Sequence, residues 1–339
     1  MDMNKVQVCT RCVLPSTFPG ISFDDEGVCN HCRQYEAFDY SNEKKLEYKV
    51  KFLRLASQIK RNDGGVDALI AYSGGKDSTY TMYVMKEVYG LNVEAFTFDN
   101  YFISPQATKN IETVCERLGV KHVMVRHEKQ MIKKVFAHAS KNDMYAPKHM
   151  ERASTICTVC SGFFKSVALM YALENQIPMI GYGWSPGQAP IQSALTQTNP
   201  KFVRMAQKTA STPIYKVVGE TDGRKYFLKD EHYSIPAAQW PYNVHPLAWE
   251  PYSEEGVKEK IRELGWVDPT DVDSNSTNCM LNAWANEQHV KRYQFHPYVM
   301  EKAQMVRAGV LDRQEAYDSI YNDQNERLIE YALTRLDLK

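Results

Sequence analysis

The sequence predicts an α/β fold, with a doubly wound, Rossmann-like parallel sheet between a small cysteine-rich module and a helical C-terminal region. Three observations predict it. Short apolar runs alternate with helical patterns over residues 63–190, as strands joined by crossover helices do. Two Cys-x2-Cys pairs lie within residues 1–40, and helical periodicity returns over residues 253–339.

Composition indicates a globular protein and limits its partners. The 339 residues include 43% apolar residues, and 41 Lys and Arg balance 41 Asp and Glu. A net charge of zero disfavours a strongly basic nucleic-acid binder. The first residues lack the apolar stretch of a signal peptide, and no run of about 18 apolar residues suggests a membrane span. We therefore expect a cytoplasmic protein without membrane association.

The N-terminal cysteines predict a metal site, because a reducing compartment disfavours disulfides. They are Cys9, Cys12, Cys29 and Cys32. Their C-x2-C-x16-C-x2-C spacing is that of a structural zinc site with four thiolates. A disulfide pair or four unrelated cysteines are the alternatives. We expect zinc to hold residues 1–40 together as an appended module, with His31 on its surface.

The elements of the main domain follow from periodicity. An amphipathic helix is predicted within residues 41–62, where it links the module to the sheet. Ser104 and Pro105 open a helix that ends at Gly119 and buries Cys115 on its apolar face. The predicted strands cover 66–72, 91–98, 122–126 and 177–183, and the other helices cover 79–89 and 128–140. Ligands bind such sheets at the carboxyl ends of the strands.

The last third of the chain has less pattern. Residues 191–252 are rich in Tyr, Pro and Gln and show little regular pattern, so we interpret them as an insertion that covers the site. Residues 258–264 predict a helix that ends at Gly265. Asp312 and Glu315 form a capping pattern that predicts the start of the last helix. Residues 253–339 contribute Cys279.

The strongest functional signal is the loop Ser73-Gly74-Gly75-Lys76-Asp77-Ser78, which follows the first predicted strand and precedes a helix. Glycines that allow close approach, free backbone N–H groups and a lysine predict an anion-binding loop. The spacing differs from that of a Walker A loop. A glycine-rich turn before a capped helix is the alternative.

Three cysteines remain for a second site, because Cys115 is assigned to a helix face. Cys157 and Cys160 form a third Cys-x2-Cys pair before the fourth strand, and Cys279 lies farther along the chain. Buried cysteines without a function are the alternative. Three thiolates suit an iron–sulfur cubane with one open iron, or zinc with one open position. Gly181 and Gly183 open a loop after the fourth strand, which we interpret as a wall of the ligand site, although a plain turn is equally compatible.

The loop over residues 73–78 resembles the pyrophosphate loop of the ATP pyrophosphatases, also called adenine nucleotide alpha hydrolases. In that family a substrate carbonyl oxygen attacks the α-phosphate of ATP, pyrophosphate leaves, and a nitrogen or sulfur nucleophile then expels AMP. The resemblance implies that Ser73, Gly74, Gly75, Lys76, Asp77 and Ser78 hold the pyrophosphate together with magnesium. It further implies catalytic roles for Lys76 and Asp77, and that Thr97 and Asp99 border the adenosine.

Two branches of this family are similar to other parts of the chain. Residues 9–32, and the stretch over 293–316, resemble the N-acetyl sugar amidotransferases, which implies ammonia delivered by a glutaminase partner. Residues 157–183 resemble the tRNA thiolases in the order of cysteine pair, small residues, basic residue, helix and strand. That likeness implies that Cys157, Cys160 and Cys279 are catalytic and hold a 4Fe-4S cluster whose free iron carries sulfide.

We therefore expect an ATP-dependent sulfurtransferase. It would adenylate a carbonyl oxygen and replace it with sulfur held on the cluster. The expected acceptor is a small molecule such as a nucleobase or nucleotide. A sulfide donor or a cysteine desulfurase would supply the sulfur. The alternatives are an N-acetyl sugar amidotransferase with a glutaminase subunit, and a nucleotide-binding regulatory module. The balanced charge disfavours tRNA as the acceptor, and we expect a homo-oligomer.

Overall fold

One six-stranded sheet organises the chain in the computed structural model, which describes residues 6–35, 41–61, 63–321 and 325–339. The strand order is β3-β2-β1-β4-β6-β5, and all neighbours are parallel except β5 and β6. The strands are β1 Ala68–Ala71, β2 Val93–Asp99, β3 Lys121–Arg126, β4 Met179–Gly181, β5 Leu195–Gln197 and β6 Tyr242–Val244. The predicted α/β fold class is confirmed.

Helices surround this sheet. The longer ones are α1 Asn42–Ile59, α2 Lys76–Tyr83, α3 Pro105–Leu118, α4 Lys129–Lys141, α5 Thr155–Glu174, α6 Pro200–Val218, α7 Glu254–Glu263, α8 Asn282–Tyr293, α9 Val299–Arg307, α10 Arg313–Tyr321 and α11 Glu326–Arg335. Single helical turns cover Asn30–Arg33, Pro147–Met150, Ile191–Ser193, Glu220–Gly223, Arg224–Tyr226, Asp230–Tyr233, Ala237–Gln239 and Pro246–Ala248. A π-helical turn, Val84–Val88, extends α2.

Helix α3 shows how local sequence determines an element. The Ser104 hydroxyl accepts a hydrogen bond from the Ala107 backbone N–H, and Pro105 occupies the first turn. The helix ends at Gly119, whose φ of +61° lies in the left-handed region. Cys115 is buried on its apolar face, as predicted.

The sheet has a hydrophobic core on each face, because successive strand side chains point to opposite sides. In β1, Leu69 and Ala71 pack into the core that includes α4 and α5. Ala68 and Ile70 pack into the other core, with α1, α2 and α3. Within the described residues, only α5 is long and apolar enough to cross a membrane, and half of its apolar stretch is buried in the fold.

Two expectations about the last third of the chain are wrong. Residues 191–252 contain the 19-residue helix α6 and two strands, and β6 joins the sheet beside β4. The strands are only three residues long, and Pro213 lies inside α6, so neither element produces a clear pattern. A helix does begin after Asp312, but α11 follows it.

The N-terminal module is joined to the C-terminal helices rather than simply appended. Val13, Leu14 and Phe18 share one hydrophobic cluster with residues of α9 and α10. The Arg313 guanidinium donates to the backbone oxygens of Cys9 and Cys12. His31, expected on the surface, is half-buried and packs edge-on against Phe18. The module and these helices therefore stabilise each other.

Candidate active site

A cavity of about 450 Å³ lies at the carboxyl ends of β1, β2 and β4, where parallel sheets bind their ligands. It brings together most of the residues predicted from the sequence. Those on its wall are Ser73, Gly75, Asp77, Ser78, Thr97, Cys157, Cys160, Gly183 and Cys279. Gly74, Lys76, Asp99 and Gly181 lie outside the lining. We name this cavity the nucleotide cavity, after the ligand that the sequence predicts.

The loop between β1 and α2 presents the start of a helix to this cavity. The Ser78 hydroxyl donates to the Gly75 carbonyl oxygen at 3.0 Å and lies 3.1 Å from the Ser73 hydroxyl. These contacts fold the loop over the first turn of α2, where backbone N–H groups have no helical partner. Such a helix N-terminus attracts anions. The geometry therefore suits a phosphate group.

Two glycines fit this loop tightly into the fold. Gly74 has a φ of +75°, and a Cβ there would lie 2.5 Å from the Ala107 carbonyl oxygen. A Cβ on Gly183 would lie 2.6 Å from the backbone of Asp77 and Ser78. Gly74 thus allows the loop to pack against α3, and Gly183 brings the segment after β4 against the start of α2.

Lys76 and Asp77 form a charged pair through a tyrosine that the sequence analysis missed. The Lys76 ammonium donates to the Tyr252 hydroxyl, which donates to Asp77 Oδ1, each at 2.8 Å. The Ser185 hydroxyl donates to Asp77 Oδ2 at 3.0 Å. Burial opposes a charge on Lys76, but Asp77, Tyr252 and Glu254 outweigh it and raise its pKa. Lys76 therefore remains a cation.

Lys76 directs its ammonium away from the cavity wall. It lies 3.6 Å from a Glu254 carboxylate oxygen, and 9% of its side chain is exposed. Asp77 reaches the cavity itself. Tyr252 lies just before α7 and Glu254 is its first residue, and both are distant from the loop in sequence. Sequence motifs do not reveal a contact between residues that lie so far apart in the chain.

Just beyond β2, Asn100 lies on the cavity wall, whereas the neighbouring Asp99 carboxylate does not. Asp99 pairs with Arg126 at 2.7 Å and lies outside the lining. The Asn100 side-chain amide lies on the wall and donates toward Cys160 Sγ at 3.4 Å, with Cys279 Sγ at 4.0 Å. Thr97 lines the cavity, while its hydroxyl donates to the Tyr72 carbonyl oxygen.

The fold brings the three separate cysteines to one side of the cavity. Cys157 and Cys160 lie one turn apart at the start of α5, whose first turn is capped by the Ser154 hydroxyl. Cys279 reaches them because it pairs with Ile103, just beyond β2, in an antiparallel bridge. The sequence analysis could group these cysteines but had no signal for this pairing.

The environment of these thiols disfavours their ionisation. Burial raises the pKa of Cys157, and it raises the pKa of Cys160 and Cys279 to about 12, with a further contribution from the neighbouring thiols. Three thiolates would therefore need a positive centre between them. Their sulfur atoms do not all lie within 4.8 Å of one another, unlike those of the N-terminal set.

A chain of hydrogen bonds supports Tyr298 beside these cysteines. The Asn286 amide donates to Asn282 Oδ1, and the Asn282 amide donates to the Tyr298 hydroxyl, each at 2.8 Å. Asn286 also donates to Asp273 at 3.4 Å. Because Tyr298 accepts from Asn282, its own proton is free to point toward Cys157, and Tyr298 acts to lower the pKa of that thiol against the effect of burial. The sequence analysis missed this chain.

The four N-terminal cysteines form a compact metal site away from the cavity. Cys9 and Cys32, and Cys12 and Cys29, each have sulfur atoms 3.8 Å apart. The backbone N–H groups of Cys12 and Cys29 donate to Cys9 Sγ, which favours a thiolate there. All eight cysteines of the chain are free, so the disulfide alternative is not supported.

The anion-binding loop between β1 and α2 has the position that the sequence analysis expects for the pyrophosphate loop of an ATP pyrophosphatase. Residues 67–218 match the family model described as queuosine biosynthesis protein QueC, a family of the ATP pyrophosphatase superfamily. The resemblance inferred from residues 73–78 is thereby confirmed.

Two relatives extend over nearly the whole chain. An uncharacterized protein of Methanocaldococcus jannaschii is 20% identical over 98% of this chain and 99% of its own length. The solved structure of the U34-tRNA thiolase NcsA from Methanococcus maripaludis, with its [4Fe-4S] cluster, is 16% identical. That comparison covers 96% of this chain and 88% of the thiolase, with a TM-score of 0.36. Such a score carries no conclusion about activity.

Proposed function

We propose that this enzyme of the ATP pyrophosphatase superfamily is a cytoplasmic, ATP-dependent sulfurtransferase that acts on a small molecule. One observation carries the proposal: Cys157, Cys160 and Cys279 share a single cavity with the loop over residues 73–78. A nucleotide bound at that loop would have its reacting phosphate beside the three thiols. An activated acceptor and a sulfur nucleophile could then meet without diffusing.

In the first step the acceptor's carbonyl oxygen attacks the α-phosphorus of ATP, and the bond to the bridging oxygen of pyrophosphate breaks. The first turn of α2 would donate hydrogen bonds to the departing phosphates. Asp77, held by Tyr252 and Ser185, would bind magnesium, and Lys76 would stabilise the charge of the loop. Release of AMP and pyrophosphate, rather than ADP and phosphate, is the expected signature.

In the second step sulfide forms a bond to the activated carbon, and AMP leaves with the former carbonyl oxygen. Oxidation states do not change when the donor is hydrosulfide, and its proton passes to the phosphate of the departing AMP. A 4Fe-4S cluster held by three thiolates would leave one iron open to bind the sulfur. Cys157, Cys160 and Cys279 would hold it, and Asn100 and Tyr298 would donate hydrogen bonds to their sulfurs.

The N-terminal set fits zinc by size. A Zn–S distance of about 2.3 Å in a tetrahedron places neighbouring sulfurs about 3.8 Å apart, and the two measured pairs are 3.8 Å apart. Arg307 donates to Cys12 Sγ at 3.5 Å, which offsets part of the negative charge of four thiolates around one zinc ion. We assign this zinc a structural role.

Anaerobic purification followed by metal and sulfide analysis tests the proposal. We expect a brown protein that contains zinc, iron and acid-labile sulfide. Replacing Cys157, Cys160 or Cys279 with alanine should remove iron and sulfur transfer while zinc and ATP binding persist, and Cys115→Ala serves as the matched control. A colourless protein whose activity requires ammonia and survives Cys279→Ala would instead be an amidotransferase.

A further inference from the structure

A second cavity, of about 580 Å³, adjoins the nucleotide cavity and has no role in the function proposed so far. It lies between α5, α6 and the ends of β4 and β6, and Tyr182 and Trp184 line both cavities. We name it the acceptor cavity. Its volume lies in the range that small-molecule sites occupy. Its wall is mainly apolar, with Leu169, Ile180, Phe202, Val203 and Leu228.

The partition between the two cavities consists of Tyr182 and Trp184, which line both, and of rings stacked against them. The Trp184 and His245 rings stack with centroids 3.6 Å apart, and Tyr182 stacks on His245 at 5.2 Å. Gly183, between the two partition residues, packs on the backbone of Asp77. A molecule in the acceptor cavity would therefore lie beside both the ring stack and the start of α2. Flat unsaturated ligands suit such a surface.

Among the described residues on this wall, Lys165 is the only Lys, Arg, Asp or Glu side chain, and burial lowers the pKa of its ammonium group. Burial lowers the pKa of His245 to about 3, so that ring is neutral. The Lys165 ammonium makes no hydrogen bond or ion pair with any residue that the structure describes, and the residue is exposed on the cavity wall. A lysine without a partner beside an apolar wall is available to pair with an anionic group of a bound ligand.

The neighbouring amides are already occupied. The Gln207 side chain bonds both the N–H and the carbonyl oxygen of Leu228. The Asn243 amide donates to the Thr198 hydroxyl, and Asn199 caps α6. These amides therefore hold the wall together and are less available to bind a ligand. Lys165 is left as the main group that could select a ligand by charge.

We propose that this cavity binds the acceptor, and that the acceptor is a small molecule with a flat unsaturated ring and one anionic group paired with Lys165. The identification as the acceptor rests on the proposed adenylation. RNA is disfavoured, because binding through its backbone uses many phosphate contacts, whereas this cavity offers one lysine. Carboxylate and phosphate share the required chemistry.

A matched pair of fluorescent probes tests the anion site. We would titrate the protein with 8-anilinonaphthalene-1-sulfonate and with neutral N-phenyl-1-naphthylamine, which has the same ring body without the sulfonate. Lys165→Met should weaken binding of the sulfonate at least tenfold and leave the neutral probe within twofold. Lys201→Met, at the exposed start of α6, is the control. Ala206→Trp should weaken both probes, because Ala206 lines the cavity.

Other outcomes overturn the inference. Equal effects of Lys165→Met and Lys201→Met would show that Lys165 forms no anion site, and displacement of the sulfonate probe by ATP would show that the probe binds in the nucleotide cavity instead. These titrations need neither ATP turnover nor sulfide, so they can succeed even if the proposed sulfur chemistry fails.

Incubation with ATP, sulfide and a small-molecule extract then tests the acceptor role. The consumed compound should be anionic, and its consumption should fall at least tenfold in Lys165→Met. A neutral acceptor, or turnover confined to tRNA, would overturn the substrate class. The mass of the product reports separately whether oxygen was replaced by sulfur or by nitrogen.

Discussion

Loss of the N-terminal metal should destabilise the C-terminal helices α9 and α10 as well as the N-terminal module. Cys12→Ser removes one of four sulfur ligands, and structural zinc contributes on the order of 10 kcal/mol to folding in small zinc modules. Val13, Leu14 and Phe18 are buried against α9 and α10. Exposing three such side chains costs roughly 5–9 kcal/mol, at about 1.5–3 kcal/mol each. We expect the C-terminal helices to lose protection together with the module.

Zinc analysis and amide hydrogen exchange measure this effect. Cys12→Ser should lose about one zinc per chain, and exchange should accelerate over both residues 6–35 and residues 299–321. ATP affinity should change little, because β1, α2 and α3 hold the phosphate loop. Cys115→Ser controls for placing a hydroxyl at a buried cysteine. Unchanged zinc content, or faster exchange confined to residues 6–35, would refute the reasoning.

The remaining predictions concern the nucleotide cavity. Asp77→Ala should lower ATP-dependent AMP formation more than a hundredfold, because one preorganised electrostatic contact is worth about 3 kcal/mol; a smaller loss in steady-state assays would contradict its role. Tyr252→Phe removes the hydrogen bonds to Lys76 and Asp77, so kcat should fall about tenfold while circular dichroism stays unchanged. Tyr298→Phe should retain iron but lower the reduction potential of the centre, since hydrogen bonds to sulfur ligands help set that potential; an unchanged potential in an EPR titration would exclude the contact with Cys157.

Much of the fold was predictable because its elements carry their own local signals. Helix α3 has a capping serine, a proline and a terminal glycine, and the loop after β1 has a compact motif. Residues 191–252 were misread because a three-residue strand is too short to show a period of two. The identity of β6 as a sheet strand depends on its pairing with β4, which is a contact between distant residues.

The same distinction separates the site residues that were found from those that were missed. The cysteines and the loop stand out by residue type and spacing. Tyr252 and Tyr298 have ordinary sequence surroundings and gain their positions only through tertiary packing. In the sequence, Lys165 stood out only as the basic residue after a cysteine pair. The cavity that it lines is formed in part by α6, a helix that the sequence analysis did not predict.

Helix α9 connects the two cysteine sets. Tyr298, just before its start, lines the nucleotide cavity together with Cys157, and Arg307, at its end, donates to Cys12 Sγ. Nine residues thus connect the N-terminal metal site to the wall of the nucleotide cavity. We therefore expect the metals to bind in order. Zinc would first stabilise α9, and the three-cysteine site would bind its cluster only afterwards. A cell short of zinc would then accumulate a chain that is also deficient in iron, although iron is plentiful.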